Sequence, residues 1–540
     1  IMKLTNSGLK DRQAWLDAGY QLPAYDREAM IEKTKNNPTW IHFGAGNLFK
    51  AYQANVVETL LNEGILDRGI IAVEGFDEMI LANFREHDTL ALLATLKADG
   101  NVEKTVIGSI AESVLLKPEN EEEFKRMKEI FVNPSLQMAS FTITEKGYAL
   151  TNAAGEYLEP VQYDFEHGPA MPQSYMGKVV ALLIERFHAD QLPIALVSMD
   201  NCSHNGEKLK AAILPYAKAW AANGFVEPAF VEYLNDESKV SFPWSMIDKI
   251  TPRPDDKVGE IFREDGIEDM DPIKTARGSF VAPFVNAEET EYLVIEDSFP
   301  NGRPALEKGG LIFTDRETVN KVETMKVTTC LNPLHTALAV YGCLLGYTLI
   351  SAEMQDEDLV KLIKTIGYKE GLPVVTNPGI LDPKEFIDTV INVRFPNPFM
   401  PDAPQRIATD TSQKLSVRFG ETIKSYLKAQ DLDTESLEAI PLVFAGWLRY
   451  LMQINDAGEK FEASADPLLE ELCPIVAEIK LGDTVTVADL ESILTNEKVF
   501  GVNLIEIGMA DKVVALFNEM NKAPGAIRTT LHDTLEKIGE

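Results

Sequence analysis

The rhythm of apolar and polar positions changes beyond the middle of the chain. Up to that point short β-branched runs alternate with amphipathic stretches. Trp40-Ile41-His42-Phe43 is followed at once by Gly44-Ala45-Gly46-Asn47, then by an amphipathic stretch over about 48–61, then by Gly69-Ile70-Ile71-Ala72-Val73-Glu74. Strand, glycine turn, helix and strand in that order predict a βαβ unit. Further strand candidates lie at 105–110, 138–144 and 193–199. The last two are nearly unbroken apolar runs, as in strands buried on both faces of a parallel sheet. From about Pro333 helical periods take over, at 333–350, 357–367, 384–392, 412–429, 435–454, 466–480 and 508–521. The pattern predicts an α/β chain: a Rossmann-like, doubly wound N-terminal domain over 1–310, then a mostly α-helical domain over 311–540. Turn chemistry at Ser298-Phe299-Pro300-Asn301-Gly302-Arg303-Pro304 marks the approach to the boundary.

Composition narrows the function. With 45% hydrophobic and 25% charged residues, 540 residues form a globular protein of more than one domain. A net charge of −33 repels nucleic acid and anionic membranes, so neither is expected as a partner. An anionic substrate is repelled at distance too, and its site therefore needs local lysine or arginine. The cysteines Cys202, Cys330, Cys343 and Cys473 are scattered, and the opening IMKLTNSGLKDRQAW lacks the apolar core of a signal peptide. Both point to a reduced, cytoplasmic protein. Residues 327–352 carry no formal charge and are long enough to span a bilayer, but Asn332, Pro333 and His335 within them predict a helix buried in protein instead.

Two segments carry candidate chemistry. Glycines at the mouth of the first strand let backbone N–H groups approach a pyrophosphate, which makes Phe43, Gly44, Ala45, Gly46, Asn47 and Leu48 candidates for dinucleotide binding. Phe49 holds the place of the third glycine of G-x-G-x-x-G, so an ordinary tight turn is the competing reading. Glu74, at the end of the next strand, suits a ribose and repels a 2′-phosphate, which favours NAD over NADP. Asp77 competes for that role, and Glu74 also reads as a solvated strand end.

The second segment holds Lys326, Asn332 and His335. Hydride delivery to a carbonyl builds negative charge on oxygen, so the site needs a proton donor and hydrogen-bond donors. Asn332 and His335, three apart, share a helix face, whereas Lys326 falls off that face and belongs before the helix. Asn332 before Pro333 also reads as an N-cap, and a lone histidine as a satisfied core residue. Glu323 is either a proton relay or an exposed acid. Seven scattered histidines without HExxH spacing predict no metal.

Several ordered segments together resemble the polyol-specific long-chain dehydrogenases, the family of mannitol dehydrogenase and of fructuronate and tagaturonate reductases. They run from His42-Phe43-Gly44-Ala45-Gly46 through Thr142-Ile143-Thr144-Glu145-Lys146-Gly147-Tyr148, Ser198-Met199-Asp200-Asn201, Phe242-Pro243-Trp244-Ser245-Met246-Ile247-Asp248 and Val294-Ile295-Glu296-Asp297 to Arg406-Ile407-Ala408, Asp410-Thr411-Ser412-Gln413-Lys414 and Gly446-Trp447-Leu448-Arg449-Tyr450. The resemblance implies NAD(H), no metal and a lysine acid/base: Lys326, with Asn332 and His335 holding the reacting oxygen, Asn201 as a further donor and Asp248 in the same region. Arg406 and Lys414 then look like substrate-binding residues that supply the required local charge, although a solvated helix-start pair reads the same way. The family spacing is Lys-x4-Asn-x2-His, and here five residues separate Lys326 from Asn332, with Val327 at the expected lysine position. Trp244 also replaces a usual small polar residue. The opening residues and the TDTSQK segment look closest to fructuronate reductases. The expected reaction is thus NADH-dependent reduction of D-fructuronate at C5 to D-mannonate, by a monomer or small homo-oligomer. Mannitol 2-dehydrogenase and tagaturonate reductase are the alternatives, and a catalytically inactive NAD- or sugar-binding regulator is the alternative of another class.

Overall fold

The computed structural model describes residues 1–278 and 280–539. The chain divides into two compact units, one made of residues 1–97 with 101–320, the other of 98–100 with the chain from Lys321 onward.

The first unit is built on a six-stranded, all-parallel sheet, in the order Ile110–Leu115, Ile70–Glu74, Trp40–Phe43, Met138–Phe141, Ile194–Ser198 and Val240–Ser241. Chain order runs outward from Trp40–Phe43 in one direction, then resumes on its other side at Met138–Phe141. The topological switch point therefore lies between these two strands, where open α/β sheets bind ligands beyond their carboxyl ends. Alternation explains the unbroken apolar runs: Ile41, Phe43, Ile71, Val73, Ala139 and Phe141 enter one core, while Trp40, Ile70, Ala72 and Met138 enter another on the opposite face. The Rossmann-type fold expected for this half is thus observed.

Some local expectations fail. The 105–110 strand straddles two strands, Val102–Ile107 and Ile110–Leu115. The first of these belongs to a separate four-stranded sheet with Tyr20–Gln21, Ala91–Leu96 and Phe284–Glu288. The helix over 48–61 is two helices, Asn47–Ala51 and Gln53–Asn62, broken at Tyr52. The strand expected to reach residue 144 ends at Phe141.

The second unit is helical around one core that includes Leu334, Leu338, Tyr341, Phe444 and Trp447. The charge-free 327–352 stretch contains the helix Asn332–Leu345, closed by Gly346 at φ +85°, and runs into the short helix Ile350–Glu353. Among the described residues no helix is long and apolar enough to cross a membrane. Four expected α-helices contain or adjoin π turns, at Lys326–Cys330, Thr365–Gly371, Val390–Arg394 and Ser416–Gly420. Such turns each admit an extra residue and gather at functional sites.

Candidate functional site

In the first unit the glycine turn leaves the Trp40–Phe43 strand at the switch point. Gly44 adopts φ +109°, and a Cβ there would lie 2.2 Å from the Thr142 carbonyl oxygen, so only glycine fits. Gly46 differs: a Cβ there would meet nothing within 4 Å, which leaves its backbone open to an approaching group. Beneath the turn, buried His42 bonds through Nδ1 with Ser140 Oγ at 2.6 Å and through Nε2 with Thr142 Oγ1 at 2.7 Å. Burial pushes its pKa down to about 3, so at neutral pH it is an uncharged brace between neighbouring strands.

Residues unremarked on chemical grounds in the sequence shape the other side of the switch point. Thr144 sits at φ +64°, ψ 163°, a region that costs a β-branched residue about 1–3 kcal/mol. The Asp200 carboxylate holds it there, accepting from the Thr144 N–H at 2.9 Å, the Ile143 N–H at 3.1 Å and the Tyr148 hydroxyl. A buried aspartate two residues past a strand and four before a helix N-cap carries no sequence signature beyond family resemblance.

The acidic position divides between two residues. Glu74 Oε1 accepts from the Phe76 N–H at 2.8 Å and the Asp77 N–H at 3.2 Å, so this carboxylate is turned onto its own loop. Burial raises its pKa. Asp77 Oδ1 caps the next helix at the Met79 N–H, 3.0 Å away, whereas its Oδ2 is buried with no hydrogen-bond partner among the described residues. A cavity of about 350 Å³ opens here, lined in part by Gly75, Phe76, Asp77, Leu116 and Lys178. Open backbone at Gly46 and an unsatisfied carboxylate oxygen beside a cavity are what a dinucleotide's phosphates and a ribose hydroxyl would meet. Asn201 is exposed and Asp248 buried, both on this unit.

In the second unit Lys326 is 6% exposed and opens the π turn Lys326–Cys330, closed by the Leu331 N–H donating to the Lys326 carbonyl at 3.1 Å. The π turn is separated from the next helix by a bend at Leu331, φ −128°. Lys326 precedes that helix as expected, directly after another helix, Arg316–Met325. The N-cap expected at Asn332 is displaced: Leu331 occupies that position, Asn332 is the first helical residue, and no side chain caps the helix. Glu323 is partly exposed on the preceding helix.

His335 is partly exposed and stacks on Phe395 with ring centroids 5.2 Å apart, while its Nε2 is buried without a hydrogen-bond partner among the described residues. Burial, reinforced by Arg418, Arg406, Arg394 and Lys414, pushes its pKa down to about 3. It is therefore a neutral imidazole at physiological pH, able to hydrogen-bond an oxygen without a net charge. Lys414 Nζ donates to the Ile407 carbonyl at 3.0 Å, and Arg406 is paired with Asp402 with its side chain 70% exposed. His335 is thus influenced by Arg406 and Lys414, both singled out in the sequence, and by Arg394 and Arg418, which were not.

Comparison with known proteins fits both units. Residues 38–308 match the mannitol dehydrogenase Rossmann domain and residues 318–520 the mannitol dehydrogenase C-terminal domain. The D-mannonate oxidoreductase of Thermotoga maritima is 50% identical over 538 residues, 99% of each chain. Among solved structures, substrate-free D-sorbitol dehydrogenase is 25% identical with a TM-score of 0.79, covering 96% of this chain and 98% of its own. The Pseudomonas fluorescens mannitol 2-dehydrogenase ternary complex with NAD and D-mannitol is 27% identical with a TM-score of 0.67, covering 99% of this chain and 100% of its own. With both domain models matched in order over most of its length, the chain belongs to the mannitol dehydrogenase family.

Proposed function

We propose that this chain is an NAD-dependent D-mannonate oxidoreductase that interconverts D-fructuronate and D-mannonate in the cytoplasm, as a monomer or small homo-oligomer. The reading is carried by the 50% identity, through 99% of both chains, with the Thermotoga maritima D-mannonate oxidoreductase. Local charge supports it: Arg418, Arg406, Arg394 and Lys414 all act electrostatically on His335 in a protein of net charge −33, which suits drawing a small anion against the overall field.

The turn Phe43, Gly44, Ala45, Gly46, Asn47 and Leu48 is proposed to hold the dinucleotide phosphates, with Asp77 or Glu74 at the ribose. NADH, when bound, supplies the hydride. Asn332 and neutral His335 hydrogen-bond the carbonyl oxygen, and Lys326 gives its proton to the oxygen as charge develops there. Asn201 is assigned as a further donor, Asp248 to the substrate region, and Arg406 and Lys414 to the substrate.

Following NADH absorbance with D-fructuronate, D-fructose and D-tagaturonate tests this reading. The largest kcat/KM is expected for D-fructuronate. A preference for either other ketose overturns the substrate, and quenching of NADH fluorescence without oxidation overturns the enzyme in favour of a sensor.

A further inference from the structure

Arg418 stands on the π turn Ser416–Gly420, between the helices Thr411–Leu415 and Glu421–Lys428. Its side chain is partly buried, and Nη1 donates to the hydroxyl of Thr336, the residue after His335, at 2.6 Å. Of the four cations acting on His335, Arg418 acts most strongly. Burial pushes its own pKa down to about 10, and no carboxylate opposes that shift.

Arginine stays charged in proteins, so this is a partly desolvated cation with no acidic partner among the described residues, and the N–H groups it does not spend on Thr336 are open to a ligand. Other arginines show what satisfaction looks like. Arg186, fully buried, satisfies both terminal nitrogens with the carbonyls of Phe131, Asn133, Leu136 and Pro193. Arg528 pairs with Asp356 and Asp358, and Arg406 with Asp402. Arg418 has five N–H donors and a single hydrogen bond among the described residues.

We infer that Arg418 binds the carboxylate of the sugar-acid substrate, fixing one end of it while Asn332 and His335 hold the oxygen at the reacting end. The inference rests on the proposed function and deepens it. The guanidinium fork matches a carboxylate bidentately, and the pairing removes the cost of the isolated charge. A neutral polyol or ketose leaves that charge unmatched, so Arg418 also discriminates between acids and neutral sugars. Arg406 is exposed and already paired with Asp402, so the unmatched charge is on Arg418.

Calorimetry of D-mannonate binding to the NAD-saturated protein tests this in wild type, Arg418→Met and Arg418→Lys. Arg418→Met should weaken D-mannonate about tenfold to a hundredfold, as expected for a lost charge-assisted pair, and narrow the preference for D-mannonate over D-mannitol by the same factor. Arg418→Lys, which keeps the charge but not the fork, should fall between. D-mannonate affinities within threefold of wild type in both variants overturn the inference, and Arg418→Lys alone decides if Arg418→Met does not fold. Wild-type turnover of D-mannonate separates the two levels: if it is present while the variants bind normally, only the role of Arg418 falls, and if it is absent, the proposed function falls.

Discussion

Replacing Gly46 with alanine separates a dinucleotide cradle from an ordinary tight turn. At φ −91°, ψ −170° alanine is unstrained, and its Cβ would meet nothing within 4 Å. Gly46 precedes the Asn47–Ala51 helix without a side-chain cap, so the structural cost is at most about 1 kcal/mol, the usual difference between glycine and alanine at such a position. For a unit of this size that corresponds to a fall in Tm of at most roughly 1–2 °C. If backbone at Gly46 meets a pyrophosphate, however, the methyl occupies the approach and NADH affinity drops at least about tenfold, or ~1.4 kcal/mol. Gly44→Ala is the counterpart. Its Cβ would lie 2.2 Å from the Thr142 carbonyl oxygen at φ +109°, so strain and overpacking together cost about 2–6 kcal/mol and the fold itself suffers. Fluorescence titration with NADH, paired with thermal denaturation, reads both effects. Gly46→Ala binding NADH within twofold of wild type would refute the cradle.

Other outcomes follow from the titrating and charged groups. His335 and His42 both have pKa values of about 3, below the ordinary 6.5, so unfolding takes up protons and stability is lost as pH falls from about 6.5 toward 3. Tm should drop less steeply across that range in His335→Gln than in wild type, and a parallel decline in both contradicts the assignment. Glu353 is fully buried, with both carboxylate oxygens lacking partners among the described residues, and burial pushes its pKa up to about 9. The folded state then holds a proton that the unfolded state releases, so stability falls as pH rises from about 4.5 to 9. Glu353→Met should raise Tm at pH 8, by the equivalent of about 1–3 kcal/mol for removing an unsatisfied buried group, and an unchanged Tm argues against it. Arg406→Ala, which removes an exposed ion pair with Asp402, should cost no more than about 1 kcal/mol in urea unfolding while raising KM for D-fructuronate.

What the sequence made legible was whatever depends on local periodicity. Trp40–Phe43, Ile70–Glu74 and Ile194–Ser198 are buried along their whole length, which gives unbroken apolar runs, and the turn at Gly44 follows from one strand directly. The second sheet was hidden because Phe284–Glu288 pairs with Ala91–Leu96 across a long stretch of intervening chain, and no local pattern announces a partner so distant. The π turns were hidden for a different reason. An extra residue inside a helix shifts the phase of the side chains without breaking the run, so 412–429 reads as one helix and nothing singles out Arg418. In the structure the turn at Ser416–Gly420 brings that guanidinium to Thr336. Another π turn, opened by Lys326, lies between that lysine and Asn332 and was equally invisible in the sequence.

The proton donor is the heart of this account, and single-turnover reduction of D-fructuronate by Lys326→Ala at saturating NADH tests it most directly. The predicted result is a rate roughly 10²–10⁴ lower than wild type, with NADH affinity kept and partial recovery on adding methylammonium as a substitute proton donor. A variant that keeps most of its single-turnover rate contradicts the account and assigns the proton to another group.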